Sequence, residues 1–445
     1  MKKILLSIFV LSSSLCANAG GLMTNTNYHI AFDRMFARGA TTEIDAAYSN
    51  PAGLVWGHEG LELSLNLQKP WQRRNIETQM DNFLGQPYDK EYVGKASAPI
   101  VPAFFASYHK DKWAVSAMFG IVGSGGFVEY DDGVPMFNVP ITALLAAKQI
   151  TPGSYSLDSY MKGKQYIYGG QFNVTRKFGS YFSAAVGIRA NYYDGYYRGH
   201  VKAGGHAALG DLTNLELDVD QRGWGFAPII SANYHRGSLT LSARYEFRTK
   251  IETENKTNML NADLGTGLKT LLTQTNPAAL QTIATSLGGY TAEYQDGVKT
   301  RYDMPALFVA AIGYEFTRKF RGTLEYHFFD DKNAQMAGDR QKELTHGTHE
   351  ILAGVEYDIN DKFTVSCGGQ RTDYGLSDGY QKDTSFACDS YSLGLGGAWN
   401  INEKLRLNVS YFCSLYSDYN KPTSYGSEIY SRTNHVIGVG IDYKF

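Results

Sequence analysis

Strict alternation of apolar and polar residues runs through most of this chain. In "GLELSLNLQ" at 60–68, every second residue from Leu61 onward is leucine, and the residues between them are polar. The segments "LTLSARYEF" at 239–247 and "LRLNVSY" at 405–411 show the same pattern. Because successive side chains of an extended chain point to opposite faces, this period of two predicts strands with one apolar and one polar face.

The connections between the alternating segments are in turn short and long along the chain. Fourteen strands are predicted, at 60–68, 100–109, 113–122, 165–175, 181–193, 222–235, 239–252, 298–316, 320–330, 348–358, 362–372, 388–400, 404–417 and 431–445. Long connections are expected at 69–99, 123–164, 194–221 and 253–297, with shorter ones near 331–347, 373–387 and 418–430. An even number of strands joined in this way is typical of a transmembrane antiparallel β-barrel of the bacterial outer membrane.

Aromatic residues lie close to the predicted short turns. Examples are Tyr108, Trp113, Tyr181, Tyr314 and Trp399. Amphipathic rings favour the membrane–water interface, so these residues are candidates for an interfacial girdle, although strand ends are often aromatic for other reasons. The chain ends in Phe445 after an alternating segment, which resembles the signal by which bacterial assembly machinery recognises outer-membrane barrels.

The first nineteen residues have the pattern of an export signal. Lys2 and Lys3 precede the apolar run "ILLSIFVL", and Ala17-Asn18-Ala19 forms a cleavage site, which predicts a signal peptide over 1–19. A lipoprotein signal at Cys16 is the weaker alternative, because the preceding residue is Leu15 rather than a small one. No later stretch reaches the ~18 apolar residues of a transmembrane helix.

Charge, cysteines and motifs give little support to other classes of protein. The formal net charge of −2, without a long basic run, does not predict nucleic-acid binding. Cys367, Cys388 and Cys413 lack CxxC spacing, so they predict neither a disulfide framework nor a zinc site, though one pair could close between strands. Without an HExxH or complete phosphate-loop motif, we expect no enzyme activity, no cofactor and no metal.

Three stretches carry a resemblance to a known family. They are "ARGATTEIDAAYSNPAGL" near the start, "APIVPAFFASYHKDKWAVSAMFGI" and "DMPALFVAAIGYEF". With the strand count, they resemble the FadL/TodX family of outer-membrane transporters of hydrophobic compounds, over essentially the whole chain after the signal. The resemblance implies a 14-stranded barrel over 59–445 whose lumen is plugged by an N-terminal hatch at 20–58.

The hatch has a signature in the family, and here it corresponds to Asn50, Pro51 and Ala52. The segment is polar and rich in glycine, so it cannot face lipid, where each unpaired backbone group costs several kcal/mol. Pro51 lacks an amide hydrogen and favours a turn over strand pairing. The alternative is a simple connecting turn into the first strand.

The side chains on the other strand face are expected to line the lumen. The apolar candidates are Phe105, Met118, Val122, Leu307, Val309, Phe329, Leu352 and Phe412, and the cationic ones are Arg189, Arg244 and Arg248. A mixed lining suits a cargo with an apolar body and an anionic head, because arginine binds a carboxylate through two hydrogen bonds. Neutralising nearby Glu246 and Glu325 is the alternative role for these arginines.

Two further groups are candidates for cargo handling. Ile141, Leu144, Leu145, Leu271 and Leu272 lie on amphipathic loop segments, where the family first captures its ligand; packing of two loop helices on each other would explain them equally well. Gly120, Gly123, Gly125 and Gly126 would permit a kink in the third strand. In the family, such a kink opens a lateral window to the membrane, whereas a flexible loop would need the same glycines.

These observations together predict passive uptake of hydrophobic small molecules across the outer membrane, with long-chain fatty acids favoured. The expected partners are membrane lipids, a hydrophobic ligand and the barrel assembly machinery, and the protein is expected to be a monomer. Two alternatives stay open: a plugged porin specific for polar solutes, and a barrel hydrolase with a Ser or His site at the outer rim.

Overall fold

The computed structural model describes residues 22–83, 85–98, 100–146 and 148–445, so the predicted signal peptide lies outside the described residues. Fourteen strands make one antiparallel sheet, three of them in the two parts given by double ranges. The strands are β1 (Gly60–Phe83), β2 (Gln86–Ser97, Val101–Lys110), β3 (Trp113–Tyr130), β4 (Ser156–Phe178), β5 (Phe182–Gly204), β6 (Thr213–Arg236), β7 (Leu239–Glu246, Glu252–Leu264), β8 (Lys299–Arg301, Leu307–Glu315), β9 (Phe320–Phe329), β10 (Thr348–Asp358), β11 (Phe363–Asp373), β12 (Ser390–Asn400), β13 (Leu405–Tyr416) with its extension Tyr419–Thr423, and β14 (Gly426–Lys444).

Each strand pairs with the next along the chain, and the last pairs with the first. β14 runs antiparallel to β1 from the pair Glu62–Lys444 to the pair Gln79–Ser427, which closes the sheet into a barrel. Closure leaves no free sheet edge, as a membrane-spanning sheet requires. The predicted fold class, a closed 14-stranded antiparallel barrel, is confirmed.

The two faces of the wall differ as the alternation predicts. Leu65 and Ile437 point outward and are 48% and 50% exposed, whereas the neighbouring inward residue Asn66 is fully buried. Exposed aromatic rings, including Trp113 and Trp399, lie at the short-turn end of the outer face. The outer face is therefore an apolar belt bordered by aromatic residues, which is the surface that a bilayer requires.

Several strands extend well beyond the predicted boundaries. The expected loop at 69–99 is wrong, because β1 continues to Phe83 and β2 begins at Gln86. Likewise, most of 194–221 belongs to β5 and β6, leaving only 205–212 between them. Beyond Trp71 the outward residues of β1 are polar, so the apolar alternation that identifies a strand ends while the backbone pairing continues.

Proline accompanies each interruption in the barrel wall. β2 is interrupted before Val101, next to Pro102, and Pro305 lies in the interruption of β8. Pro228 of β6 stands opposite the interruption of β7 at 247–251, where its carbonyl oxygen accepts a hydrogen bond from the amide of Phe247. Because proline cannot donate to a ladder, bulges and strand ends are its expected positions.

Two short helices, α1 (Ile30–Met35) and α2 (Ala46–Ser49), precede the first strand. The long loops carry the described helices α3 (Pro135–Ala146), α4 (Thr266–Thr275) and α5 (Pro277–Glu293), and the 3₁₀ segments Asp331–Asn333 and Ala337–Glu343. α3, α4 and α5 bury their apolar residues in one cluster with inward residues from the upper parts of β4, β5 and β6. Among the described helices, none is long and apolar enough to cross a membrane. Cys367, Cys388 and Cys413 are free thiols.

Candidate functional site

Residues 22–58, the N-terminal segment, precede the first strand and are almost completely buried. The segment contains two short helices, α1 (Ile30–Met35) and α2 (Ala46–Ser49), and a 3₁₀ helix at Pro51–Trp56. The His29 side chain caps α1 by accepting a hydrogen bond from the Ala31 amide. Phe36, with a φ of 59°, ends this helix and redirects the chain.

The N-terminal segment contacts inward-facing side chains from opposite sides of the barrel. His29 lies 3.1 Å from Asp442 of β14, and the Gly39 amide donates to Glu325 of β9 at 2.6 Å. On the far side, the Trp56 indole donates to Ser183 of β5 at 2.8 Å. The polar inward residues of the strands therefore satisfy the polar groups of this segment, which would be costly to bury without partners.

The Asn50-Pro51-Ala52 motif is attached to β4, β5 and β6. The Asn50 side chain donates to the Asn233 side-chain oxygen Oδ1 at 2.8 Å and to the Thr41 carbonyl oxygen at 3.2 Å. Strand hydroxyls donate to the carbonyl oxygens of Pro51 and Ala52, at 2.7 and 2.6 Å. An amide side chain is needed at position 50 because it spans two acceptors, one on the segment and one on the wall.

Buried and partly exposed ion pairs hold the other part of the N-terminal segment. Glu356 of β10 accepts from Arg34 at 2.5 Å and lies 3.4 Å from Arg38, and Arg38 also pairs with Asp45 at 2.6 Å. Glu43 pairs with Arg406 of β13. Burial alone would raise the pKa of Glu43, but the surrounding arginines hold that pKa well below its usual range, so the carboxylate is charged.

Asp33 is a different kind of buried carboxyl group. Its side chain is fully buried in α1 against the wall, near Gly438 of β14. Burial raises the pKa of Asp33 well above its usual range, and the nearby Ser410 hydroxyl only partly opposes that shift. Protonation of Asp33 is therefore favoured when the N-terminal segment is in place.

The barrel wall has a gap between β2 and β3. Phe104 pairs with Phe119, and the next pair along these strands is Ser97 with Phe127. Between these two pairs, the described residues of β2 and β3 have no ladder pairing with each other. On the other side of β3, the register with β4 shifts twice, at Gly123 and before Gly126, whose φ of 95° favours glycine.

The tip of the N-terminal segment lies at this gap. The Asn25 amide and side chain donate to the carbonyl oxygens of Val122 and Ile121 at 3.0 and 3.1 Å, so the segment takes hydrogen bonds that a neighbouring strand would otherwise make. The Met23 carbonyl oxygen would lie 2.4 Å from a Cβ placed at Gly123. Of the four predicted glycines, Gly123 and Gly126 therefore mark the irregular backbone, with Gly120 and Gly125 in the same stretch of β3.

The apolar lumen candidates all face inward. Phe105, Met118 and Val122 belong to a cluster with the tip of the N-terminal segment. Leu352 and Phe412 pack on Phe32 and Phe36 of the segment, whereas Leu307, Val309 and Phe329 form a small cluster of their own. With the segment in place, these side chains contact protein, and the cavity beside Phe105 measures only about 20 Å³.

The cationic candidates lie in two different environments. Arg189 and Arg244 are buried, both pair with Glu246, and Arg244 lies 4.4 Å above the Tyr48 ring of the N-terminal segment. Sequence reasoning missed Tyr48 as their contact, because nothing local links position 48 to β7. Arg248 is outside the lumen lining: it falls in the interruption of β7, is partly exposed, and donates to the Asn333 carbonyl oxygen.

The loop candidates are not an exposed patch in this structure. Ile141, Leu144, Leu145 and Leu272 are buried in the cluster of the loop helices, and Leu271 is partly buried against it. Their apolar faces thus cover one another and the upper barrel wall, which is the packing alternative that the sequence also allowed.

Sequence reasoning also missed a buried polar group on β9 and β10. His327 lies between Glu325 at 2.6 Å and Glu350 at 2.9 Å, and Glu325 in turn binds the Gly39 amide. The alternation of side chains along β9 predicts that Glu325 and His327 face inward. Glu350 lies on the next strand, β10, and becomes their neighbour only through the strand register. Among the described residues, no group of three His, Cys, Asp or Glu could hold a metal ion.

Polar cavities lie at the short-turn end of the barrel. One, of about 610 Å³, is lined by charged residues that include Arg38, Glu356 and Arg406. A second, of about 370 Å³, is lined by Glu62, Asp442 and residues of the short turns. The lumen is therefore polar and charged at its short-turn end and apolar nearer the loops, with the N-terminal segment between the two regions.

Comparison with known proteins gives similarity at the level of the fold. No protein-family model and no curated protein matches the sequence. A solved FadL homologue from Pseudomonas aeruginosa is 13% identical, with a TM-score of 0.68 over 96% of this chain and 100% of that one. The P. putida toluene transporter TodX is 12% identical, with a TM-score of 0.57 over 91% and 95% of the chains, and the Ralstonia pickettii toluene transporter TbuX is 13% identical, with a TM-score of 0.53 over 91% and 94%. The fold of this chain is therefore that of the FadL/TodX barrels, as the sequence resemblance predicted.

Proposed function

We propose that this protein is an outer-membrane channel for the passive uptake of hydrophobic small molecules, with long-chain fatty acids as the favoured cargo. In this proposal the plug is formed by residues 20–58, which include the N-terminal segment. The apolar outer belt fits a bilayer, and the terminal Phe445 is the expected contact for the barrel assembly machinery. The solved relatives bear the names of a FadL homologue and of toluene and monoaromatic hydrocarbon channels, so both cargo classes need to be tested.

The observation that carries the proposal is the gap between β2 and β3. It lies within the wall where Phe104 and Phe119 face outward and are 42% and 51% exposed, so it opens toward the hydrocarbon of the membrane. A porin for polar solutes has no use for an opening toward lipid. A hydrophobic cargo gains free energy by passing directly into hydrocarbon, at roughly 25 cal/mol for each Å² of apolar surface kept from water.

The polarity of the lumen favours exit of the cargo through the gap over its passage along the barrel axis to the short-turn end. Toward the short-turn end a cargo would have to pass charged groups such as Arg38, Glu43 and Arg406 and the polar cavities they line. Toward the gap it meets Met118, Val122 and Met23 instead. Among the described residues, Met23 and Asn25 lie at the gap, so movement of this tip would expose the gap to the apolar part of the lumen.

The buried arginines support a cargo with an anionic head. Arg189 and Arg244 share one carboxylate partner, Glu246, so the group carries an excess positive charge. A carboxylate placed between the arginines would gain charge-assisted hydrogen bonds. Simple neutralisation of Glu246 explains one of the two arginines but leaves the other without its own acidic side-chain partner in that group.

The test is a reversible engineered disulfide, called the gap staple, across the border of the gap that is nearer the short turns. A Cβ at Gly120 would lie 3.5 Å from the Cβ of Ala103, which is within the range of a disulfide, so the double variant Ala103→Cys/Gly120→Cys can join β2 to β3 there. Uptake of radiolabelled oleate and of toluene is measured in cells. We expect uptake to be lost on oxidation and restored by dithiothreitol.

A matched control staples the same strands below the gap. Ala106 and Ala117 face each other in the regular ladder, so Ala106→Cys/Ala117→Cys constrains the strands without crossing the gap. Full uptake by the oxidised gap variant, with the disulfide verified by mass spectrometry, would contradict the lateral route. The ratio of oleate to toluene uptake in the unmodified protein decides between the cargo classes.

One observation favours a plugged polar-solute porin as the second candidate, namely the charged cavity of about 610 Å³ at the short-turn end. That function requires a conductive pathway along the barrel axis once the plug moves. Uptake of labelled sugars, unaffected by the gap staple, would support it against the hydrophobic route.

A further inference from the structure

Three cations lie on the outer wall at the loop-side border of the apolar belt, and we call them the cation cluster. Lys69 and Arg73 are outward residues of β1, Lys95 is an outward residue of β2, and all three are exposed. The stretch from Leu61 to Trp71 has the ~9–11 residues with which a tilted strand crosses hydrocarbon. The cation cluster therefore surrounds the point at which β1 leaves the hydrocarbon of the membrane.

Two members of the cation cluster oppose each other in the sheet. Arg73 and Lys95 are direct partners in the ladder between β1 and β2. Lys95 also pairs with Asp131 at 2.8 Å, whereas in the part of the chain that the structure describes neither Arg73 nor Lys69 forms an ion pair. Like charges directly opposite each other destabilise a sheet. A bound anion would remove that cost, so the cation cluster favours an anionic ligand.

An aromatic surface lies beside the cation cluster. Trp71, which stands between Lys69 and Arg73 on the outer face of β1, stacks on His435 of β14 with ring centroids 5.5 Å apart. His435 stacks in turn on Tyr411 of β13, whose hydroxyl lies 2.9 Å from the His435 Nδ1 atom. Aromatic rings with a polar edge favour the headgroup layer of a membrane. These three rings therefore form a flat surface at headgroup level.

On the short-turn side of the cation cluster the outer wall is apolar. Ile100 and Phe104 of this region are large, exposed apolar residues. The Lys69 amine donates to the Ala98 carbonyl oxygen at 3.1 Å, and Ala98 follows Ser97, which forms the pair with β3 on the loop side of the gap. A molecule held at the cation cluster would therefore have the apolar belt and the gap directly beneath it.

From these features we infer that the cation cluster binds the phosphate-bearing headgroup of a lipid in the leaflet that faces the loops. The phosphate lies between Arg73 and Lys95, where arginine can donate two parallel hydrogen bonds to its oxygens. The rest of the headgroup lies on Trp71, and the acyl chains run over Ile100 and Phe104 along the gap. The inference is independent of the proposed function, because it holds whichever cargo passes through the barrel.

The first test counts bound lipids by native mass spectrometry of the full barrel in an uncharged detergent. The barrel is titrated with dioleoyl phosphatidic acid, with dioleoylglycerol and with inorganic phosphate. We expect tight binding of phosphatidic acid and weak binding of the other two. Arg73→Gln/Lys95→Gln should weaken the binding of phosphatidic acid by roughly 25-fold, from about fivefold for each cation removed near a membrane surface.

The matched control removes the same charge from two other exposed lysines on the loop side. Lys202 and Lys299 already pair with Glu216 at 2.5 Å and Glu252 at 3.2 Å, so Lys202→Gln/Lys299→Gln should bind phosphatidic acid like the unmodified protein. Equal losses in the two double variants would reduce the effect to net charge and overturn the inference. Equally tight binding of dioleoylglycerol, or displacement of phosphatidic acid by inorganic phosphate, would also overturn it, the latter by assigning the site to free phosphate.

The second test gives the cation cluster an acidic group of its own. Arg73→Glu places a carboxylate opposite Lys95 in the ladder, so it should abolish the binding of phosphatidic acid without lowering the unfolding temperature of the lipid-free barrel. Phosphatidic acid should raise the unfolding temperature of the unmodified barrel but not that of the variant. Heat-modifiable gel mobility verifies that the variant is folded. Tight binding of phosphatidic acid by folded Arg73→Glu would show that the lipid does not use the cation cluster.

Discussion

Replacing Glu356 by Gln should release the N-terminal segment from the barrel wall. Glu356 is 2% exposed and is the acidic partner of Arg34, whose guanidinium is fully buried. Gln preserves the shape of the side chain and removes only its charge. Arg34 would then be a buried cation without a carboxylate, and release of the segment into water would relieve that cost.

The size of the effect follows from this geometry. Breaking a buried ion pair by removing one partner costs about 3–5 kcal/mol. Arg38 keeps Asp45 and Glu43 as partners, and Arg321 keeps Asp358, so the loss falls mainly on Arg34. Since about 1.4 kcal/mol is a factor of ten, the released population should rise by roughly a hundred- to a few thousand-fold.

Hydrogen–deuterium exchange of the purified barrel measures this change directly. Peptides covering α1 should exchange faster in Glu356→Gln, while the ladder between β10 and β11 stays protected, which verifies that the barrel is folded. The matched control is Asp358→Asn on the same strand, whose pair with Arg321 is partly exposed and is therefore expected to be worth under ~1 kcal/mol. Equal exchange in both variants, or no change in Glu356→Gln, would refute the reasoning.

Three further predictions concern the same segment. Asn50→Ala removes the hydrogen bonds to Thr41 and Asn233, so it should weaken the attachment of the segment by about 1–3 kcal/mol and slow oleate or toluene uptake. Barrel insertion, measured by heat-modifiable gel mobility, should be unchanged. Normal uptake in the folded variant would count against a gating role. Gly123→Ala should push the Met23 carbonyl away and raise exchange at 22–28, whereas Gly170→Ala, with no atom within 4 Å, should not; equal exchange would show that the tip does not contact β3. Burial raises the pKa of Asp33, so the attached segment holds a proton that the released segment loses. Attachment is therefore strongest at a pH below the usual carboxyl pKa and weakens as the pH rises through the raised pKa. Asp33→Asn should abolish this dependence of exchange on pH.

The membrane explains which parts of the fold could be predicted from the sequence. Within the bilayer every outward residue must be apolar, so strands such as "GLELSLNLQ" reveal their position and their faces. Above Trp71 the outward residues of β1 face water, and neither face is required to be apolar. The backbone pairing continues to Phe83 because an unpaired strand would be costly, but no pattern in the side chains marks its end.

The side chains of the candidate site could be predicted from the sequence only where inward and outward residues alternate without interruption. Arg189 and Arg244 point inward as expected, since β5 and β7 are regular at those positions. Arg248 does not, because the interruption at 247–251 changes which residues face the lumen, and Thr249 is buried there instead. A period-two pattern cannot be extended across a break that the pattern itself does not show.

The contacts of the N-terminal segment could not be predicted from the sequence, for a different physical reason. Its partners Glu356, Asn233 and Glu325 are polar residues on the inward faces of three strands, where a water-filled lumen would also need polar side chains. The sequence therefore cannot distinguish a wet pore from one filled by protein. What distinguishes them is complementarity: charged groups of the wall meet opposite charges of the segment, and the gap in the ladder meets Asn25, whose amide donates where a strand would. Because the segment supplies backbone bonds that the wall lacks, its departure would expose that gap, so in the proposed function the release of the segment and the opening toward lipid would be one event.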